Sequence, residues 1–91
     1  MNKELYRRID EITHYIWDPI GVAGEPNARD EYFDYLPEIY NIVERGDEAQ
    51  LAEYLDKLAR VTMGLSIIST ERTQEAITAM FAWKDQFDDP L

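Results

Sequence analysis

Leu5, Ile9, Ile12 and Ile16 recur at spacings of four, three and four residues, the seam of an amphipathic helix over about residues 3–17. The same period returns three times. Tyr32, Leu36, Ile39 and Val43 mark a second helix, Leu51, Leu55, Leu58 and Thr62 a third, and Ala76, Met80, Trp83 and Phe87 a fourth. Asp18-Pro19, Arg45-Gly46 and Met63-Gly64 stand between them, each a pair that ends helices. No run alternates as a strand would, and only residues 64–69 form a short apolar stretch able to run extended. The pattern predicts an all-α fold: one domain over residues 1–91, a small antiparallel bundle of about four helices. Its expected core is the first three seams without Thr62, together with Met80 and Trp83.

End signals sharpen these boundaries. Asn27 is a candidate N-cap for the second helix, and Asp47-Glu48-Ala49-Gln50 has the spacing of a capping box for the third. Ser66, Ser69 and Thr70 compete to cap the fourth, and the tail over residues 88–91 should fray. Pro37 falls inside the second seam, where it removes a backbone donor and disfavours helical geometry at Leu36. The apolar register runs through it unchanged, so the expectation is one helix kinked at Pro37, or two short ones nearly in line.

With 45% apolar residues among 91, the chain can fill one modest core and has little room for a deep enclosed site. Nineteen acids against nine bases give a net charge of −10, which repels nucleic-acid phosphates and anionic membranes. A basic protein or a metal ion suits it better. The chain has no cysteine, hence no disulfide framework and no thiolate chemistry. The opening MNKELYRRIDEI lacks the apolar core of a leader, and no apolar run approaches a membrane span. A cytoplasmic protein is the expectation, with neither nucleic acid nor membrane as a partner.

Residues 17–36, WDPIGVAGEPNARDEYFDYL, mix aromatics, turn residues and carboxylates without a clean period. Specific sites tend to lie where local rules are broken on a rigid scaffold. Trp17 with Ile20 or Val22 should fold this segment onto the helices, because these apolar side chains lie beyond the first seam. Asp18 and Arg29 bracket the loop and either pair with each other or, in the Asp18 case, accept backbone N–H groups of the Gly21 turn. The functional reading makes Trp17, Asp18 and Arg29, with Asp30, a ligand-facing polar cluster.

Asp30, Asp34 and Glu38 are spaced i, i+4, i+8 opposite the second seam, with Glu31 beside them. Such a stripe steers a basic partner, although its plainer reading is a solvated helix face. The chain has two Trp, six Tyr and three Phe, and the seams use few of them. Phe33 and Tyr35, set among the acids, have the character of interface anchors; their plainer reading is completion of a small core. Glu11 and His14 have the Glu-x-x-His spacing of di-iron bundles, but His14 is the sole histidine and a monomer cannot complete such a set. The plainer reading is an ordinary surface pair. No nucleophile–base pair, phosphate-cradling glycine loop or zinc spacing stands out, which argues against an enzyme and for no cofactor.

WDPIGV at residues 17–22, ARDEY at 28–32, Leu36-Pro37 and Met63-Gly64-Leu65 resemble the YugE-like family of small bacterial proteins of unknown function. The resemblance covers most of the chain up to Leu65; the fourth helix is generic. It implies a compact all-α fold in a bacterial protein and no established activity. Similar small acidic proteins are associated with immunity genes beside toxins.

Three functions follow as expectations. The first is a non-catalytic binding module, an immunity or antitoxin-like inhibitor of a basic partner, using Asp30, Glu31, Phe33, Asp34, Tyr35 and Glu38. The second is a homo-oligomer whose surplus aromatics bury one another. The third is a metal- or small-ligand-binding protein using Glu11 and His14.

Overall fold

A computed structural model describes residues 1–88 of the chain. Its first helix, α1 (Lys3–Ile12), starts where the Asn2 side chain accepts the Leu5 N–H at 2.9 Å. Leu5, Ile9 and Ile12 are buried against α2 and α4. The helix then widens into one π-helical turn, Thr13–Trp17, closed by the Asp18 N–H donating to the Thr13 carbonyl at 3.0 Å. A hydrogen bond spanning five residues shifts every later side chain around the axis. Trp17 thereby turns inward to join Thr13 and His14, which are buried at the start of the turn, and Ile16, expected in the core, is only half-buried. The Thr13 hydroxyl donates back to the Ile9 carbonyl at 2.7 Å, which removes its unpaired polar group from the interior.

The second helix starts later than its seam suggested. Pro26–Ala28 and Phe33–Tyr35 are single 3-10 turns, and α2 proper is Leu36–Arg45. The break falls at residues 29–32, so the kink is not at Pro37. Proline fits the first helical turn, where its missing N–H would have had no intrahelical partner, so Pro37 opens α2 instead of bending it. Asn27 accordingly lies inside a 3-10 turn and does not cap α2. Gly46 ends α2 in the left-handed region at φ 77°, the role its position predicted.

Helix α3 (Glu48–Lys57) is capped by Asp47, whose Oδ1 accepts the Gln50 N–H at 2.9 Å. The box stays half-made, because Gln50 turns its own oxygen to Arg45. A second π-helical turn, Leu58–Thr62, follows; it keeps Leu58 and Ala59 buried but carries Thr62, an expected seam residue, to the surface with Val61. Ser69 caps α4 (Thr70–Asp88) by accepting the Arg72 N–H at 3.1 Å. Ala76, Ile77 and Met80 are its buried residues. Trp83, expected in the core, is half-buried under the Arg8 guanidinium, 4.6 Å from its ring. Apart from Asp88, the tail expected to fray lies outside the described residues.

Helices α1 and α3 each pack on both α2 and α4, closing the bundle around one core. The remaining expected core residues are buried, joined by Trp17, Tyr40, Ile42, Ala59, Ala76 and Ile77. No described helix is long and apolar enough to cross a membrane.

Candidate functional site

The connection from α1 to α2 is organised around one carboxylate. Asp18 takes the left-handed backbone at φ 32°, a conformation that short polar side chains tolerate best, and only 5% of its surface is exposed. Its Oδ1 accepts N–H groups from Gly21 at 3.1 Å and Val22 at 2.8 Å, and its Oδ2 accepts from Ala23 at 3.0 Å. The Tyr32 hydroxyl donates to Oδ1 at 2.8 Å and accepts the Ile20 N–H at 3.1 Å. Burial alone would raise the Asp18 pKa, but these donors outweigh it and hold the carboxyl below its usual range. Burial pushes the Tyr32 phenol well up, and the adjacent carboxylate adds to this.

The Asx-type alternative for Asp18 is therefore the one realised. Arg29 pairs elsewhere: its Nη1 and Nη2 donate to the two oxygens of Asp10 at 2.9 and 3.0 Å, which ties the loop to α1. The guanidinium carbon lies 5.3 Å from the Tyr15 ring centre and 6.0 Å from that of Phe33. The expected cluster of Trp17, Asp18, Arg29 and Asp30 is thus divided. Trp17 and Asp18 line a recess of about 160 Å³ facing the start of α4, while Arg29 lines a separate cleft with His14 and Tyr15. Trp17 and Val22 do pack on the core as the segment's composition suggested; Ile20 stays exposed.

The expected acidic stripe is not a helical stripe. Asp30 and Glu31 lie in the 29–32 break, Asp34 in a 3-10 turn and Glu38 in the first turn of α2. All four are exposed, and among the described residues only Glu38 of the four makes an ion pair, with Arg45 at 3.8 Å. Phe33 stands among them with 47% of its surface exposed, next to Tyr15 at 56% across the Arg29 bridge. Tyr35 is half-buried against the core, which lessens its reach as an anchor.

Glu11 and His14 do not form the expected surface pair. Glu11 accepts from Arg8 at 3.1 Å, whereas His14 is 2% exposed, with its ring centre 4.6 Å from that of Tyr15 and 6.2 Å from that of Tyr32. Among the described residues no group of three or more His, Asp or Glu side chains is placed to hold a metal ion. Sequence reasoning missed Asp10, Tyr15 and the burial of His14. The first two meet Arg29 across 19 and 14 residues of chain, and no local signal marks the third.

This geometry defines an all-α bundle carrying an ordered acidic and aromatic connection on one side. Compared with protein-family models, curated proteins and solved structures, the chain matches none.

Proposed function

We propose that the protein is a non-catalytic binding module whose 30–38 surface engages a basic protein, as an immunity or antitoxin-like inhibitor does. The observation that carries this reading is Phe33, exposed on a braced segment beside Asp30, Glu31 and Asp34, carboxylates that make no ion pair among the described residues. An aromatic anchor ringed by unpaired charge gives affinity at its centre and steering at its rim. The net charge of −10 adds long-range attraction for a basic partner. The YugE-like resemblance is compatible with this role and names no partner.

The test compares proteins retained from the native host's lysate by the wild type, by Phe33→Ala and by a triple variant with Lys at 30, 34 and 38. The reading expects a basic protein held at low salt, released as salt rises, and lost from both variants. Retention of the same set by all three would show that this surface is only solvated.

A further inference from the structure

We infer that the groove between α1 and α2 takes one amphipathic helix of the basic partner, with its apolar side chains in two hollows and its basic ones along the α2 rim. The inference rests on the proposed function and names the segment that the surface receives. The two hollows adjoin. One holds about 300 Å³ between Met1, Tyr6, Pro37 and Tyr40, the other about 150 Å³ between Tyr6, Phe33 and Leu36. Tyr6 is common to both, and its ring centre is 5.6 Å from that of Tyr40. Met1 at 82% and Phe33 at 47% exposure extend the apolar surface past the hollows.

Size decides the kind of occupant. Small-ligand sites hold about 300–1,000 Å³, so neither hollow is roomy for a separate molecule, whereas each suits a side chain presented by a larger surface. Leu36 of the smaller hollow and Tyr40 of the larger stand about one helical turn apart, on the order of 6 Å. Side chains at i and i+4 of a partner helix have that same spacing. The groove walls are helices, with most of their main-chain groups paired inside α1 and α2. A segment lying there must pair its own main chain, which a helix does and a single extended strand does not.

Charge fixes the rest. Asp34 and Glu38 follow Phe33 and Pro37 in the chain and are exposed. Asp34 makes no ion pair among the described residues, and Glu38 meets Arg45 only at 3.8 Å. On α1, Arg7 and Arg8 pair with Glu4, and Asp10 with Arg29, which leaves Lys3 as its one unpaired base among the described residues. The two rims therefore differ: the α2 rim attracts the basic flank of an amphipathic helix and the α1 rim does not, which sets how that helix is rolled in the groove.

The probe is a synthetic peptide of about 15 residues, long enough to be helical, with leucines four apart on one face, Lys along one flank and Ala elsewhere. A second peptide of the same composition scatters the leucines around the helix. NMR titration of the labelled protein should give saturable shifts at Tyr6, Phe33 and Tyr40 with the first peptide, and at least roughly tenfold weaker binding of the second. Tyr6→Ala removes the wall common to both hollows and should abolish that preference. Asn41→Trp, at an exposed position lining the larger hollow, obstructs it and should cause the same loss if Tyr6→Ala fails to fold. No saturable binding of the first peptide, equal binding of the two, shifts confined to residues 30–38, or a preference that survives Tyr6→Ala or Asn41→Trp would overturn the groove and leave the acidic surface to its own test. Groove shifts of undiminished strength in the triple Lys variant would overturn the basic character of the occupant, and the proposed function with it.

Discussion

Helices α1 and α3 both end in a π-helical turn, and the chain then behaves in opposite ways. After α1 it closes on Asp18, whose carboxylate gathers three backbone N–H groups and the Tyr32 hydroxyl, while Trp17 and Val22 pack on the core. After α3 the chain over residues 63–69 has no such centre. Met63, Leu65 and Ile68 rest partly on the core, and Ile67 is 90% exposed. The π-turns are therefore not what orders a connection. A buried acceptor with enough donors around it does so in the first case; without one, the second is held by apolar contact and by hydrogen bonds at its two ends, such as the Leu65 N–H to the Ala59 carbonyl at 2.9 Å.

The largest way to break this contrast is Asp18→Ala. It strands three N–H groups and a buried hydroxyl, and should cost about 3 kcal/mol or more. For a domain of this size that lowers the melting temperature by roughly 10 °C or more in a thermal scan. Asp18→Asn, which tolerates the same backbone and keeps one acceptor oxygen, should lose less. Tyr32→Phe removes one donor and one acceptor at the same centre, for about 1–2 kcal/mol by denaturant unfolding.

The centre also predicts two pH limits. The Asp18 pKa is depressed by folding, so its stabilisation is present above the unfolded value near 3.8 and is lost as pH falls through the lower folded value. The Tyr32 pKa is raised, so its contribution is full below 10.0 and is lost as pH rises through the higher folded value. Unfolding curves across acid pH should therefore fall less steeply for Asp18→Asn than for the wild type. Arg29→Ala breaks a half-exposed pair and its stacking on Tyr15, at about 0.5–1 kcal/mol. Ile67→Ser, in the connection without a centre, should stay within about 0.5 kcal/mol of wild type in the same assay.

The contrast also explains what the sequence made legible. Helices α1, α3 and α4 follow from apolar period, and α3 and α4 also from their caps, since Asp47 and Ser69 each satisfy a donor a few residues ahead. The seam through Tyr32 and Leu36 misled because a residue can share a buried face without sharing a helix. Tyr32 is inside for its hydroxyl bond to Asp18, ahead of the point where α2 begins. Ile16 and Thr62 were misplaced for one reason, the extra residue that each π-turn inserts. In the candidate site, the Asx arrangement of Asp18 was readable from local spacing. The Arg29–Asp10 bond was not, because it joins residues 19 apart whose meeting depends on the folded path of the whole loop.

Amide hydrogen exchange of the native protein tests the central claim most directly, namely that Asp18 makes the α1–α2 connection a rigid platform for the exposed acids and Phe33. Gly21, Val22 and Ala23 should exchange at least roughly tenfold more slowly than Ser66, Ile67 and Ile68, and Asp18→Ala should erase most of that difference. Equal exchange in the two connections of the wild type, or a difference that survives Asp18→Ala, would contradict it.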